Sequence, residues 1–353
     1  MKKIIILSAF LSPMRSGAEA CAEEVPLALS DQFDFTIVTA RMRRNLPKRD
    51  MLNGKIPIVR VGVGVSVIDK WLYPFLAPIV VARIKPDVVH AILETFAGLA
   101  LVLCRAPKKI LTCQTTNRSF LKGWIVRSAD QVTAISTALV DIVQPYREDT
   151  VIKIPNGIDV RVFEEARKRV EKVSGRILFV GRLERQKGVD TLLAALVKLK
   201  IQNCYRRQSL WEKLKIVGDG SQRIVLKQLA QKLGIADRVE FLGYIPADKI
   251  AEEYTAAEIF CGLSRSEALG NVFLEAQAAG CAVIATSVGG IPDIIEQGRT
   301  GILVSPDDPQ SAADAISKLF LDDKLREQLS ACGTKNAQRY DWNDIAAKYA
   351  KLY

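Results

Sequence analysis

The sequence contains almost no histidine and no motif made for holding a divalent metal. His90 is the only histidine among 353 residues, so a metal site built from several histidines is excluded. No Asp-x-Asp motif is present either, and paired carboxylates of that kind would be suitable ligands for Mg²⁺ on a diphosphate. We therefore predict a site that holds no metal ion.

The cysteines form no pattern that would bind zinc or build a disulfide framework. Their number is odd, no C-x-x-C motif occurs, and they are scattered singly, at positions 21, 104, 113, 204, 261, 281 and 332. Such a distribution is typical of a protein in a reducing compartment. We expect a cytoplasmic location.

No apolar run is long enough to cross a bilayer. The most apolar stretch, residues 71–82 (WLYPFLAPIVVA), is too short and holds two prolines. The N-terminal MKKIIILSAF has basic residues followed by apolar ones but no small-residue cleavage pattern. We interpret it as a first β-strand. With 49% hydrophobic and 25% charged residues, the composition favours a globular protein that does not span a membrane.

Positive charge exceeds negative charge, and the excess lies mainly in the first half. The net charge is +11; residues 1–172 hold 26 Lys and Arg against 17 Asp and Glu, and residues 173–353 hold 24 against 22. The densest basic run, 41–49 (RMRRNLPKR), contains no acid. It is interpreted either as a solvated loop or as a patch for an anionic membrane surface or substrate. Because the run has no aromatic residue for base stacking, we expect no nucleic-acid partner.

Short apolar runs alternate with segments long enough for helices. The first half holds KIIILSA, FTIVTA, IPIVRVG, VVHAI, KILTCQ, QVTAIS and VIKIPNG, and the second half holds RILFVG, LKIVGDG, VEFLGY, IFCGLS, AVIATS and GILVSP. This alternation predicts an α/β protein with two doubly wound parallel sheets. We place the joint between residues 156 and 174, and we expect ligands beyond the carboxyl ends of the strands, in a cleft between two domains.

Residues 264–280 (SRSEALGNVFLEAQAAG) combine two acids with a helix start. The pattern predicts a helix over 272–279 that ends at Gly280, with Glu275 in its first turns and Glu267 just before it. A helix start leaves backbone N–H groups unpaired and attracts anions; here the donors belong to Gly270, Asn271 and Val272. Flanking carboxylates suit hydroxyl groups, so we predict a ligand with both phosphate and hydroxyls.

Residues 179–190 (FVGRLERQKGVD) add two cations at the end of a predicted strand. Arg182 offers a planar fork and Lys187 a point charge, and together they suit a diphosphate. The stretch is also interpreted as an ordinary surface loop with basic residues. Gly17-Ala18 follows the first strand and would let the backbone approach a ligand. The stretches VGDGSQ and VGVGVS lack the third glycine of a dinucleotide fingerprint, so redox chemistry with such a cofactor is not expected.

These motifs resemble a known family. GRLERQKG, SRSEALGNVFLEAQAAG, AVIATSVGGIPDII and GILVSPDD resemble the C-terminal domain of the family-four retaining glycosyltransferases, relatives of glycogen synthase, sucrose synthase and the phosphatidylinositol mannosyltransferases. In the first half, SPMRSGAE, PDVVHAILETFAGLAL and VIKIPNGID resemble the corresponding segments more loosely. YDWNDIAAKY resembles the terminal helix of the family.

The resemblance implies a GT-B fold of two Rossmann-like domains that face each other across a cleft. Residues 1–160 would form the acceptor-side domain, 161–335 the nucleotide-sugar-binding domain, and 336–353 a terminal helix that packs back on the first domain. The implied activity is transfer of a sugar from a nucleotide-diphosphate sugar to an acceptor hydroxyl, with retention of configuration. It implies no cofactor and no metal, and the leaving diphosphate would assist the proton transfer.

The resemblance also implies residue roles. Arg182 and Lys187 would hold the donor diphosphate, Glu275 the ribose hydroxyls and Glu267 the donor sugar. The remaining donor contacts would come from backbone, namely from Gly17 across the cleft, from Gly270, Asn271 and Val272, and, around the nucleotide base, from Gly243, Tyr244 and Ile245.

One position departs from the family pattern. Many relatives have a histidine after the fifth strand of the first domain, where this chain has Gln114, which can form hydrogen bonds but cannot carry a proton. Gln114 and His90 are therefore acceptor-side candidates, although His90 is also interpreted as a satisfied structural residue near a strand end. The acceptor is expected to be a sugar, a glycan or a lipid-linked molecule, and an anionic membrane surface is a further expected partner.

Two other functions are weighed against glycosyl transfer. A nucleotide-sugar epimerase of the same two-domain fold would use more acid–base residues than a chain with one histidine offers. A glycoside hydrolase would use two carboxylates but would not need a cationic pair beside a helix start. Both remain alternatives at the level of the sequence.

Overall fold

A computed structural model of the chain describes residues 1–12, 16–117, 121–202 and 210–353. The chain divides into two compact units: unit 1 comprises Met1–Gly157 and Trp342–Tyr353, and unit 2 comprises Ile158–Asp341. These bounds differ slightly from 1–160, 161–335 and 336–353. Residues 158–160 and 336–341 lie in unit 2 because Ile158 forms a β-bridge with Asp341 and donates its N–H to the carbonyl of Tyr340 at 2.8 Å.

Unit 1 is built on an eight-stranded sheet with the order β3-β4-β2-β1-β5-β6-β7-β8. The strands are β1 Lys3–Leu7, β2 Asp34–Ala40, β3 Arg49–Leu52, β4 Ile56–Val61, β5 Val88–Ile92, β6 Lys108–Cys113, β7 Gln131–Ala134 and β8 Ile152–Lys153. The helices are α1 Gly17–Ala28, α2 Ser66–Ile84, α3 Phe96–Leu103, α4 Lys122–Arg127 and α5 Thr137–Val143. Apolar strand residues such as Ile5, Val89 and Leu111 are fully buried, as expected for parallel strands covered by helices.

All seven apolar runs of the first half are confirmed as strands, but β3 was not predicted. It pairs antiparallel with β4, with Arg49 opposite Val59, and it is an edge strand whose residues are mostly exposed. Because an exposed edge strand needs neither an apolar run nor alternation, its sequence RDML carries no strand signal.

Unit 2 holds a six-stranded sheet with the order β11-β10-β9-β12-β13-β14. Its strands, all parallel, are β9 Val173–Val180, β10 Lys213–Val217, β11 Val239–Gly243, β12 Ala257–Gly262, β13 Ala282–Thr286 and β14 Ile302–Val304. Its helices are α6 Val160–Arg169, α7 Val189–Gln202, α8 Arg223–Lys232, α9 Ala247–Ala256, α10 Asn271–Ala278, α11 Ile291–Ile294, α12 Pro309–Leu321 and α13 Asp323–Gln338. The six runs predicted for the second half are all strands.

The last helix of the chain, α14 (Trp342–Ala350), belongs to unit 1. It packs against α1 and buries Ile345, Ala346 and Tyr349 in the unit 1 core. The hydroxyl of Tyr349 lies 3.3 Å from Thr112 Oγ1 on β6. The segment is therefore joined to the sheet by apolar packing and by polar contacts.

The strand order places a crevice at a defined edge of each sheet. In unit 2 the chain runs from β9 to β10 on one side and later returns to β12 on the other, so the strand order reverses between the neighbouring strands β9 and β12. Ligands of open parallel sheets bind at such a switch point, beyond the carboxyl ends of the strands. In unit 1 the corresponding pair is β1 and β5.

Within the described residues, no helix is long and apolar enough to cross a membrane. The whole apolar stretch 71–82 lies within α2, which continues through Pro74 and Pro78.

Candidate functional site

The loops after β9 and β12 contact each other at the switch point of unit 2. The first contains a short 3₁₀ turn, Arg185–Lys187. Lys187 Nζ donates to Glu267 Oε2 in the second loop, and both side chains are largely buried. Ser264 Oγ lies 3.3 Å from the same carboxylate oxygen. The structure thus brings Lys187 and Glu267 together, and Arg182 lies exposed at the start of the first loop without an ion pair to any described residue.

Two glycines allow this close approach. Gly188 has φ +64°, and a Cβ there would lie 1.9 Å from the carbonyl oxygen of Leu263. Gly289 has φ +54°, and a Cβ there would lie 1.8 Å from the carbonyl oxygen of Glu267. Both positions combine left-handed backbone with contact too close for any side chain, so glycine is required on both sides of the Glu267 loop.

Arg265 fixes the Glu267 loop to its neighbours. Its guanidinium binds Asp190 through two hydrogen bonds of 2.9 and 2.8 Å and Asp307 at 2.6 Å. Its own N–H donates to the carbonyl of Gln186 at 2.8 Å. Sequence reasoning missed this residue because Arg265 and Asp190 are 75 positions apart, and a single sequence gives no signal that pairs them.

Helix α10 spans Asn271–Ala278, one residue earlier at each end than the predicted 272–279, and its first backbone donors are unpaired. Gly270 is the N-cap, with φ +95° and no side-chain cap. The backbone N–H groups of Gly270, Asn271 and Val272 donate no hydrogen bond to any described residue. The predicted stop is confirmed, since Gly280 follows the helix with φ +75°. Three N–H donors and a helix dipole are therefore directed beyond the sheet edge.

Glu275 is held on α10 by a buried tyrosine. Tyr254 Oη donates to Glu275 Oε2 at 2.7 Å. Burial, and then the nearby charge of Glu275, raise the pKa of Tyr254 well above its usual value, so the phenol stays protonated and acts as a donor. This contact sets the direction of the Glu275 carboxylate near the helix start.

The residues predicted for the base pocket lie at the end of β11 and directly after it, two strands from β9. Gly218 at the end of β10 donates its N–H to the carbonyl of Gly243 at 2.7 Å, and a Cβ on Gly218 would lie 2.0 Å from the carbonyl oxygen of Gly181. The ends of β9, β10 and β11 are therefore joined by backbone contacts. Tyr244 is 77% exposed, and Ile245 is half-buried.

Gly17 is the first residue of α1 in unit 1. The preceding Ser16 donates its N–H to Glu19 Oε2 at 2.8 Å, which caps the helix start with a carboxylate. Residues 13–15 of the predicted glycine loop lie outside the described residues.

Gln114 lies just after β6, at the carboxyl edge of the unit 1 sheet. Its N–H donates to Glu94 Oε2 at 2.8 Å, and its side-chain oxygen accepts from Asn156 Nδ2 at 2.9 Å. Glu94 also forms a buried ion pair with Lys122 at 3.1 Å. Sequence reasoning named Gln114 but not the buried charges that fix it.

His90 does not lie where an acceptor could reach it. It lies in the middle of β5 and is 0% exposed. Nδ1 contacts Tyr353 Oη at 2.8 Å, and Nε2 contacts Thr112 Oγ1 at 2.7 Å. Burial lowers the pKa of His90 to about 3, so the ring is neutral. The structural interpretation of His90 holds, and its assignment as an acceptor-side residue is corrected.

Comparison with known proteins gives the family. The family described as "Glycosyl transferases group 1" matches residues 162–336, and the one described as "Glycosyltransferase Family 4" matches residues 15–162. The chain belongs to the family-4 glycosyltransferases. One curated relative, the D-inositol 3-phosphate glycosyltransferase of Corynebacterium jeikeium, is 34% identical over 251 residues, which is 67% of this chain. The matched segment spans 60% of that relative's length.

Solved structures show that this family-4 chain has the predicted GT-B fold. Sucrose-phosphate synthase from Thermosynechococcus elongatus superimposes with a TM-score of 0.85 at 22% identity, covering 100% of this chain and 98% of that one. HepE of Anabaena, solved in complex with UDP and glucose, superimposes with a TM-score of 0.78 at 22% identity, covering 100% and 99%.

Proposed function

We propose that this family-4 chain transfers a hexose from a nucleotide-diphosphate sugar to an acceptor hydroxyl with retention of anomeric configuration. One observation carries the proposal: at the switch point of unit 2, two cations, an uncapped helix start and two carboxylates occupy adjacent loops. A nucleotide-diphosphate sugar needs this set, since it combines a diphosphate with ribose and sugar hydroxyls. The UDP and glucose bound by HepE and the glycosyltransferase name of the curated relative support it.

The donor contacts follow from the chemistry of each group. Arg182 and Lys187 hold the diphosphate, together with the N–H donors at the start of α10. Glu275 accepts hydrogen bonds from the ribose hydroxyls, and Glu267 binds hydroxyls of the sugar. The base lies against the backbone of residues 243–245.

The reaction needs no protein base. The bond between the anomeric carbon and the phosphate oxygen breaks while the acceptor oxygen bonds to the same face of that carbon. The acceptor proton passes to the departing phosphate oxygen. Arg182 and Lys187 stabilise the negative charge that develops on the diphosphate, and the loops of the site hold the two substrates in reacting geometry. The same two cations make a metal ion and a cofactor unnecessary.

We propose that unit 1 binds the acceptor. We propose a sugar, glycan or lipid-linked acceptor with negative charge, taken by a chain that associates peripherally with an anionic membrane surface. The support is the charge of unit 1, which holds 23 Lys and Arg against 14 Asp and Glu. The curated relative is named for an inositol phosphate, which is an anionic acceptor. Gln114 at the edge of β6 is the acceptor-side residue that we retain.

The function is tested by screening nucleotide sugars for thermal stabilisation and then for transfer. A donor at 100 times its dissociation constant adds about 2.7 kcal/mol to the free energy of unfolding. The anomeric configuration of the product, read by NMR, then tests retention. A product with inverted configuration, or no stabilisation by any nucleotide sugar, would contradict the proposal.

Activity assays on the same protein distinguish glycosyl transfer from the two alternative functions, a nucleotide-sugar epimerase and a glycoside hydrolase. An epimerase would convert the nucleotide sugar without an acceptor, and a hydrolase would cleave a simple glycoside without a nucleotide. Neither activity is expected.

A further inference from the structure

Helix α2 of unit 1 presents a stripe of large apolar side chains to solvent. Trp71 is 61% exposed and Phe75 65% exposed. Three aliphatic residues of the helix are also exposed: Val67, Ile68 and Ile79. Spacings of three and four positions place all five on one face of a helix. Soluble proteins rarely expose so continuous an apolar surface without a partner.

The opposite face of α2 fixes this orientation. Tyr73, Ala77 and Val81 are buried in unit 1, and Tyr73 Oη donates to the carbonyl of Val38 on β2 at 2.9 Å. The stripe therefore cannot rotate toward the core. Trp71 is further held by an edge-on contact with Phe96, with ring centroids 5.1 Å apart.

No negative charge is exposed on α2. Its only acid, Asp69, is fully buried, and its carboxylate accepts the N–H groups of Val63 at 2.7 Å, Gly64 at 2.7 Å and Val65 at 3.1 Å. The helix also carries Lys70 and Arg83. The apolar stripe is thus accompanied by positive charge alone.

The basic run lies directly beside the first turn of α2. Arg43 forms an antiparallel β-bridge with Val65, the residue that precedes the helix. Gly64 packs so closely on Arg44 that a Cβ on the glycine would lie 2.8 Å from Arg44 Cα. Arg43 and Arg44 are exposed, and neither forms an ion pair with another described residue. Arg41 instead orders the loop, since it donates to the carbonyls of Leu46 at 2.9 Å and Arg44 at 2.8 Å.

We propose that the exposed face of α2, together with Arg43 and Arg44, docks on the surface of an anionic lipid bilayer. We call this set of residues the docking face: Arg43, Arg44, Val67, Ile68, Trp71, Phe75 and Ile79. The aromatic and aliphatic side chains enter the boundary between headgroups and acyl chains, and the arginines bind the anionic headgroups.

The charges favour a bilayer over a second copy of the chain. A two-fold contact brings the same surface of two copies together. Here it would place unpaired arginines of both copies beside one apolar contact, without exposed carboxylates on α2 to neutralise them. An anionic bilayer supplies both the apolar layer and the opposite charge. The inference rests on the proposed function only in that a lipid-linked acceptor gives the docking a purpose.

Co-sedimentation of the full chain with vesicles tests the docking, without donor or acceptor. Neutral vesicles are compared with vesicles that contain about a third anionic lipid, at low and at physiological salt. The expected result is binding to anionic vesicles that weakens with salt, with much weaker binding to neutral ones. Equal, negligible binding to both at low salt would overturn the proposal.

A double variant tests the apolar stripe. Trp71→Ser with Phe75→Ser is expected to reduce binding to anionic vesicles by about tenfold or more. Its matched control is Ile224→Ser with Val225→Ser, which removes two exposed apolar side chains from α8 of unit 2 and should bind like the unchanged chain. Thermal unfolding of each variant verifies that it is folded. If the α2 variant and its control bind equally, the docking face is wrongly assigned.

A second pair tests the charges. Arg43→Ser with Arg44→Ser should reduce binding at low salt and flatten its salt dependence, whereas Lys232→Ser with Lys324→Ser, which removes the same net charge from exposed positions of unit 2, should do neither. Equal effects of the two pairs would show a general charge effect and overturn the role of Arg43 and Arg44.

Two further readouts separate the alternatives. If the stripe joins two copies, sedimentation velocity would show a dimer that Trp71→Ser with Phe75→Ser dissociates, and that result would contradict docking. Transfer to a soluble acceptor tests the proposed function independently. Vesicle binding without transfer would reject the glycosyl transfer alone. Transfer without vesicle binding would reject the docking and the peripheral membrane association, and would leave the glycosyl transfer standing.

Discussion

Lys187 and Arg182 differ in their surroundings although both are assigned to the diphosphate. Lys187 lies against Glu267 in a largely buried ion pair, whereas Arg182 is exposed. Replacing either residue by alanine should lower turnover by about 10²-fold, because each variant removes charge stabilisation from the leaving group. Turnover is measured at saturating donor.

Arg185→Ala provides the control for both variants. Arg185 is an exposed basic residue of the same 3₁₀ turn, and its replacement should leave turnover close to that of the unchanged chain. Near-native turnover of both Arg182→Ala and Lys187→Ala would reject the diphosphate assignment.

Arg265 should act as a positioning residue, since its contacts hold the loop of Glu267 against the start of α7. Arg265→Lys keeps the charge but loses the two-pronged bond to Asp190. We expect kcat to fall by about tenfold with little change in KM for the donor, because the loop shifts without losing its ligand groups.

Asp190→Asn tests whether the pair acts as a unit. Asp190 is 42% exposed on its side chain, so solvent screens the pair and its coupling free energy should be at most about 1 kcal/mol. The double variant should therefore lose up to about fivefold less in kcat than the product of the two single losses, because the two variants remove the same contact. Full additivity of the two losses would contradict the role of the pair.

His90 should make unit 1 less stable in acid. Its folded pKa, lowered by burial to about 3, lies below the unfolded value of about 6.5. The unfolded chain therefore binds a proton as the pH falls below that value, while the native chain does not, and stability falls by up to about 1.4 kcal/mol per pH unit toward the folded pKa. Between pH 7 and 4.5, urea unfolding of His90→Gln should show a shallower decline than that of the unchanged chain. Parallel curves would contradict this.

At the level of elements, the turn after β13 limits the position of the Glu267 loop. Gly289 and Gly298 both have positive φ, of +54° and +71°, but a Cβ on Gly298 would meet nothing within 4 Å. Each Gly→Ala change costs about 1–2 kcal/mol for the left-handed backbone, and only Gly289→Ala also drives a methyl group into the Glu267 carbonyl.

We therefore expect Gly289→Ala to lower both the unfolding temperature and kcat, and Gly298→Ala to lower the unfolding temperature less and kcat not at all. Thermal unfolding and turnover of the two variants give the comparison. Equal kcat values for Gly289→Ala and Gly298→Ala would show that the close contact between residue 289 and the Glu267 carbonyl does not affect turnover.

Helix α2 illustrates what local sequence cannot decide about an element. Proline inside a helix removes a hydrogen bond and usually ends or bends it, yet α2 continues through Pro74 and Pro78. The buried contacts of Tyr73, Ala77 and Val81 hold the helix in place, and they depend on strands that lie elsewhere in the sequence. The same contacts direct Trp71 and Phe75 outward, which the mean hydropathy of the stretch does not indicate.

At the scale of the whole molecule, transfer should proceed in EDTA. In the proposed donor site, Arg182, Lys187 and the N–H donors of α10 would provide positive charge for the diphosphate without a divalent cation. Initial rates are compared before and after chelation, with the impaired Lys187→Ala variant as the low-activity baseline. Loss of all activity on chelation, with recovery on adding Mg²⁺ or Mn²⁺, would remove this prediction.

The sequence by itself determined the strands, the two-sheet organisation and the positions of the candidate donor residues. Buried parallel strands must be continuously apolar, so runs such as RILFVG and AVIATS are visible without any partner. A helix start between two acids is likewise local: α10 begins at Asn271, one residue before the predicted start at Val272, and Gly280 follows its end as the pattern predicts.

Only the tertiary structure decided which distant residues meet. It paired Arg265 with Asp190, placed Tyr254 on Glu275, buried His90 between Tyr353 and Thr112, and brought the basic run against the first turn of α2. These contacts depend on strand order and on side-chain packing between elements far apart in the chain. The physical reason is that the pattern of apolar and polar residues along the sequence indicates whether a side chain is buried. Which residue it contacts depends on the order in which the strands pair and on how the helices pack against them.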